Sequence, residues 1–157
     1  MTTIKTKHST QIWVNQFDGL EAERGSIHAI YFASLLEMRV YRSLLTMPLQ
    51  ILRQRNLLVK PRTANFPAIN WCCDFRIYSK LTPDIGHLNI EAKGLCTESF
   101  LLRLQMLEQY QPIEFIKTLI VNDNESTLLP AVLKSVVRAG MVVREKDLIS
   151  KLTKLHY

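Results

Sequence analysis

Near the middle of the chain, Asn89-Ile90-Glu91-Ala92-Lys93-Gly94 places an acid and a lysine two residues apart in a short apolar run. On a strand, residues i and i+2 share a face, so Glu91 and Lys93 stand side by side while Ile90 and Ala92 point into the opposite layer. Taken alone, a Glu-x-Lys pair is a solvated ion pair. Charges are uncommon on buried strands, however, and a second acid lies upstream. Phe66 to Tyr78 is rich in β-branched and aromatic residues and alternates with period two, the pattern of a strand. Trp71, Cys73, Phe75 and Ile77 form one face; Cys72, Asp74, Arg76 and Tyr78 form the other. Asp74 is therefore an acid in mid-strand, where aspartate is depleted. Leu81-Thr82-Pro83-Asp84-Ile85-Gly86 is a turn by composition and joins the two runs as a hairpin. A turn centred near residue 83 sets Asp74 opposite Glu91 or its neighbour. Directly paired Cβ atoms lie ~5 Å apart, and two carboxylates that close repel unless a cation sits between them. The literal Pro83-Asp84 dipeptide is turn chemistry, since the intervening strand residues put Asp84 roughly 15–20 Å from Glu91.

Other elements must hold this hairpin. From Ser26, a plausible N-cap, Ile30, Ala33, Leu36 and Val40 recur at helical spacing, and Pro48 stops the helix by about Thr46. Glu37 lies in that helix beside its apolar stripe. Its ordinary partner is Arg39 or Arg42; the functional alternative turns it over the sheet toward Glu91. Leu49 to Lys60 is ambiguous, strand-like but interrupted by Arg53, Arg55 and Asn56, and it leads into the basic loop Lys60 to Asn65. Thr97 caps a helix to about Tyr110 with Phe100, Leu101, Leu104, Leu107 and Tyr110 on its core face. Pro112 ends it, and Glu114 to Val121 reads as a strand. Ser126 or Thr127 caps a last helix closed by Gly140, followed by a short strand, Met141 to Val143. An N-terminal arm, residues 1–25, is anchored by Trp13, Val14 and Phe17. The basic tail, residues 144–157, carries Leu148, Ile149 and Leu152 on a helix that docks on the body or pairs with another subunit.

The chain has 157 residues, enough for one domain. With 47% hydrophobic and 22% charged residues it has the material for a core. Twenty basic against 14 acidic residues give a net charge of +6, which favours an anionic partner, most commonly nucleic acid. No stretch approaches the ~18 apolar residues of a membrane helix, and the N-terminus lacks the apolar core of a secretory signal. An odd count of three cysteines, two of them adjacent, indicates a reducing compartment. Cys72, Cys73, His87 and Cys96 match no zinc spacing, so buried structural thiols are expected.

A helix with Glu37, an ambiguous strand, a strand with Asp74, a strand with Glu91-Ala92-Lys93, then helix, strand, helix and strand: this order resembles the PD-(D/E)xK nuclease superfamily. Along most of its length the chain is most similar to homing endonucleases of that superfamily encoded in bacterial group I introns. The resemblance implies an α/β fold with a restriction-endonuclease-like core, a central mixed β-sheet flanked by α-helices over about residues 27–143, in a single nuclease domain spanning 1–157. It carries the catalytic acids onto Asp74 and Glu91, the lysine onto Lys93 and the helical acid onto Glu37. Cys73 stands where the motif has proline, a departure the family tolerates. The implied cofactor is Mg²⁺, with Mn²⁺ as a substitute, held by Asp74, Glu91 and the Ala92 carbonyl, with Glu37 serving a second metal. Lys93 would position or deprotonate the attacking water, or stabilise transition-state charge.

The implied activity is site-specific double-strand cleavage of DNA in the bacterial cytoplasm. Arg53, Arg55, Lys60 and Arg62 flank a loop near the Asp74 strand and are the expected DNA contacts. Cutting both strands requires two sites, hence a homodimer at least, and the resemblance favours a tetramer. The competing readings are a branched-DNA (junction) resolvase or phage repair nuclease, a non-catalytic DNA-binding module of the same fold, and a basic α/β domain with structural charges only.

Overall fold

The computed structural model describes residues 12–123 and 141–157. In chain order the elements are β1 (Ile12–Asn15), β2 (Ala29–Phe32), α1 (Leu35–Leu45), β3 (Leu49–Lys60), β4 (Ile69–Ser79), β5 (His87–Ala92), α2 (Glu98–Tyr110), α3 (Pro112–Ile116), β6 (Thr118–Asn122), β7 (Val142–Arg144) and α4 (Leu148–Lys154). The fold is mixed α/β. β4 pairs antiparallel with β3 on one side and β5 on the other, β6 is parallel to β5 and β7 parallel to β6, giving a five-stranded mixed sheet in the order β3-β4-β5-β6-β7. β1 and β2 form a separate two-stranded ribbon.

Neighbouring residues on β6 show how the layers arise. Leu119 and Val121 join Phe75, Ile77 and Ile90 in a cluster with Val40 and Leu44 of α1 and Leu148 and Leu152 of α4. Ile120 instead joins Phe100, Leu104 and Leu107 of α2. Adjacent strand residues point to opposite faces, so α1 and α4 cover one face of the sheet and α2 the other. This double coverage explains why β6 is apolar without alternation and buried along its whole length.

The first expectation to fail is the long helix from Ser26. Residues 29–32 are β2, paired residue by residue with β1, and the helix starts at Leu35 with Ser34 as its N-cap. The N-terminal segment, read as an arm or short helix, contributes β1, and Val14 is fully buried while Phe17 is exposed. The ribbon is tied to α1 by a hydrogen bond from the Tyr41 hydroxyl to the Gln16 carbonyl and by one from Arg42 Nε to the Gly19 carbonyl, 2.6 Å. Gly19 has φ +70°, and a Cβ there would meet Arg42 Cγ at 2.9 Å, so glycine is needed for both reasons.

The ambiguous Leu49–Lys60 run is a strand. Glu114, read as the start of another, lies instead in α3, where Pro112 sits in the first helical turn. Glu114 accepts hydrogen bonds from Arg76 (3.0 Å) and Asn89 (2.7 Å) and meets His87 at 3.1 Å, fastening α3 to the sheet. Burial works against its charge, but the Asn89 and His87 contacts and the nearby cations outweigh it and hold its pKa below the ordinary carboxylate value. Of the two roles foreseen for the tail, docking on the body holds: Leu148 and Leu152 are fully buried in the chain's own core. The helix expected from Ser126 or Thr127 to Gly140 lies outside the described residues.

Candidate active site

The β4–β5 ladder ends one residue short of the acids. Phe75 pairs with Ile90, and the next position brings Asp74 opposite Glu91. There a side chain takes over from the main chain: Asp74 Oδ2 accepts the Ala92 N–H at 2.8 Å. The predicted hairpin and its register are thus as built, and Asp84 sits in the 3₁₀ turn at the far end of the pair. Lys93 lies just past β5. Its N–H donates to the Val121 carbonyl (2.8 Å), and its own carbonyl accepts from Asn122 Nδ2 (2.9 Å). Held at both main-chain groups, it presents its ammonium 3.4 Å from Glu91 Oε1 and 4.9 Å from the Phe100 ring centroid. Glu91 is only 4% exposed, and its second oxygen, Oε2, is buried with no hydrogen-bond partner.

Glu37 enters from α1. Its N–H donates to Ser34 Oγ (3.1 Å), and its Oε2 accepts from the Ala33 N–H (3.3 Å). This is a reciprocal arrangement of the capping-box kind. Neither Arg39 nor Arg42 is its partner: Arg39 pairs with Asp123 and Glu145, and Arg42 bonds Gly19. Glu37 Oε1 instead lies 3.8 Å from Arg53 Nη2. Glu37, Asp74, Glu91, Ala92 and Lys93 line one open pocket of about 310 Å³.

Burial sets the electrostatics. It is the largest influence on all three acids, and it raises each. Glu37 is pushed up to about 7 by burial and then by the charge of Asp74, against the pull of Arg53 and the Ala33 N–H. Glu91 is pushed up to about 8 by burial and then by Asp74, with Lys93 opposing. Asp74 is raised by burial, while the Ala92 N–H, Lys93 and Arg53 hold it back. An acidic pocket of this kind costs folding energy, and a bound cation relieves it.

The donor set suits a hard divalent cation. Asp74 and Glu91 supply carboxylate oxygens, the ligand type preferred by Mg²⁺ and Mn²⁺, and the orphaned Glu91 Oε2 has a lone pair to give. Among the described residues no three His, Cys, Asp or Glu side chains are grouped as a metal site. The set is thus two carboxylates with main chain nearby, and Glu37 stands apart as a third acid across the pocket.

The four basic residues expected on DNA separate. Arg55 and Arg62 are exposed. Lys60 is half-buried, its ammonium 5.9 Å from the Phe66 ring and 5.6 Å from that of Tyr110. Arg53 turns inward. Its Nη2 donates to the Tyr31 carbonyl (2.6 Å), its guanidinium lies 4.3 Å from the Phe32 ring centroid, and its Nε is buried without a partner. It braces Glu37 from below rather than facing solvent.

The cysteines are all free. Cys73 is buried and pushed up to about 12 by burial, then by the charge of Glu91. Cys96 is half-buried. Cys72, expected buried, is exposed.

Two supporting residues escaped the sequence reading: Ser34, which caps the Glu37 turn, and Asn122, which fixes the Lys93 carbonyl. The pattern Ser34-x-x-Glu37 is a capping-box signature and marked the helix start. Asn122 carried no signal, since it falls just beyond the strand expected to end at Val121.

Gln54 marks a further feature. Arg53 pairs with Phe75 and Arg55 with Cys73, leaving Gln54 opposite Asp74 with φ +49°. A left-handed residue in a strand is strained, and it sits directly across from the first catalytic candidate. No family model, curated protein or solved structure matches the chain.

Proposed function

We propose that this protein is a divalent-metal-dependent DNA endonuclease with a restriction-endonuclease-like core. One observation carries the reading. The Glu91 carboxylate is buried with one oxygen unpartnered, beside Asp74 and Lys93 in an open pocket. A structural ion pair has no use for an orphaned oxygen, whose desolvation costs about 1–3 kcal/mol or more for a charged group. A metal ligand has.

In this reading Asp74 and Glu91 hold Mg²⁺ or Mn²⁺, with the Ala92 carbonyl as the expected third ligand. A cation held there would supply positive charge for the phosphoryl oxygens and lower the pKa of a water. Asp74 is oriented for this by the Ala92 N–H. Lys93, anchored through Val121 and Asn122, places its ammonium beside Glu91, where it orients the attacking water or counters charge developing at phosphorus. Glu37, held toward the pocket by its capping bonds and Arg53, accepts a proton at its raised pKa or serves a second cation. The net positive charge and the exposed Arg55 and Arg62 fit a polyanionic substrate. Cutting both strands asks for two copies of the site, hence a homodimer or tetramer acting on duplex DNA in the bacterial cytoplasm. No helix among the described residues is long and apolar enough to cross a membrane.

The test is direct. The protein is incubated with supercoiled plasmid, linear genomic fragments and a four-way junction, with and without Mg²⁺, and the ends are mapped. Plasmid and fragments should be cut at defined positions only with metal. Asp74→Ala and Lys93→Ala should lose cleavage and keep DNA binding. Metal-dependent nicking retained by either variant would remove the assignment, and exclusive cutting of the junction would replace it with a resolvase.

A further inference from the structure

The distal half of the β3–β4 hairpin has two unlike faces. Leu57, Val59, Trp71 and Cys73 are buried. Gln54, Asn56, Leu58, Asn70 and Cys72 are exposed. Register joins the exposed set across the strands, Asn56 opposite Cys72 and Leu58 opposite Asn70, with Gln54 opposite Asp74 one step further on. On β4, residues 70, 72 and 74 point to one side, so this row runs straight into the catalytic pocket. The row carries no charge of its own apart from Asp74; the cations sit beside it, at Arg55, Lys60 and Arg62.

We infer that this exposed ribbon face reads the base pairs next to the cleaved bond from the major groove, and that it selects A·T pairs. The inference rests on the nuclease reading. A two-stranded ribbon fits the major groove, amide side chains bond the N6 and N7 edge of adenine bidentately, and apolar groups contact the thymine methyl. Asn56 and Asn70 supply the amides; Leu58 and Cys72 supply the apolar contacts.

The spacing fits as well. Successive rungs on one face lie ~7 Å apart and base pairs ~3.4 Å apart along the axis, so each rung advances about two base pairs. With Asp74 at the scissile phosphate, the readers reach pairs about two and about four positions away. Arg55 and Arg62 then bind phosphates and hold the register without reading sequence. Sequence is then read by amides on adenine and not by the basic residues.

The experiment separates binding from cutting. Duplexes with a randomised centre are selected by the wild-type protein in EDTA, and the selection is repeated with Asn56→Ala, with Asn70→Ala and with Arg62→Ala; melting curves check that each variant folds. The wild type should enrich A·T pairs at two positions separated by about two base pairs. Asn56→Ala and Asn70→Ala should each lower discrimination at one position by roughly tenfold. Arg62→Ala should weaken all sequences alike and reduce the salt slope of binding by about one. Undiminished discrimination in both asparagine variants, or enrichment of G·C pairs by the wild type, overturns the inference. Selective binding lost in those variants, without cleavage by the wild type in Mg²⁺, leaves the ribbon assignment standing and removes the nuclease. Cleavage with selectivity untouched does the reverse, and no duplex binding at all removes both.

Discussion

Replacing Glu91 with glutamine should stabilise the metal-free protein at alkaline pH. Glu91 goes from its ordinary value of 4.5 in the unfolded chain to about 8 in the folded one. Between those values the folded state binds more protons than the unfolded state, so stability falls as pH rises. Below pH 4.5 the acid is protonated in both states and costs nothing extra; above about pH 8 the folded protein bears the full cost of the buried charge. At about 1.4 kcal/mol for each tenfold change in proton affinity, that cost has a ceiling on the order of 4–5 kcal/mol. The glutamine amide is itself under-bonded in the site, which takes back about 1–3 kcal/mol. A net gain of about 2 kcal/mol at pH 8.5 remains, or a rise in Tm of roughly 4–8 °C for a chain of this size.

The assay is thermal melting of wild type and Glu91→Gln in EDTA from pH 5 to pH 8.5. The difference between the two proteins cancels the other titrating groups. It should favour the wild type slightly at pH 5, where the under-bonded amide outweighs the small cost of the acid, and shift steadily toward the variant above it. Adding Mg²⁺ or Mn²⁺ should raise the wild-type Tm at pH 8.5, because ligand binding to the folded state adds stability, and should do little for the variant. Parallel pH curves, or a variant less stable at pH 8.5, would refute the account of Glu91 as an acid desolvated to receive a cation.

Four further outcomes follow from the same contacts. Arg53→Met should destabilise the fold by about 2–4 kcal/mol in urea titrations, because it leaves buried Glu37 without its cation. It should also leave duplex affinity in EDTA within about threefold of wild type, since the guanidinium is engaged by Tyr31, Phe32 and Glu37 and not by a phosphate. Leu152→Ala should cost about 2–5 kcal/mol, because Leu152 is fully buried in the chain's own core; sedimentation should show its association state unchanged, whereas dissociation would return the tail to a subunit interface. Gln54→Gly should be neutral or stabilising by up to about 1 kcal/mol by denaturant titration, since glycine adopts the φ of +49° without strain. Ser34→Ala should lower stability by about 1 kcal/mol through the lost cap, and should slow cleavage at saturating DNA by displacing Glu37, an effect that Ser34→Thr restores.

What could be read from the chain depended on whether the governing contact was local. Asp74 and Glu91 came together on paper because alternation fixes the faces of a strand and a short turn fixes the register of a hairpin; both hold at Phe75 and Ile90. β2 was missed because four residues are too few to show period two, and Ile30 and Ala33 happen to continue the spacing of Leu36 and Val40. Pro112 does follow the end of α2 at Tyr110, as read, but it also opens α3, where proline's fixed φ suits the first turn and Glu114 was mistaken for the start of a strand. The role of Arg53 could not be read at all. A β-strand arginine beside a basic loop looks like a phosphate ligand, and only the packing of β2 against α1 shows Phe32 under its guanidinium and Glu37 at its tip. Nor does the sequence show that Glu91 is buried with its second oxygen stranded. Pairing of acid and lysine is thus a sequence property, whereas the desolvation that turns the pair from a surface ion pair into a candidate catalytic group is created by the helices on both faces. Substitutions that loosen α1 or α2 without touching an acid should therefore lower Glu37 and Glu91 toward ordinary carboxylate values, which thermal melting would show as a flatter dependence of Tm on pH.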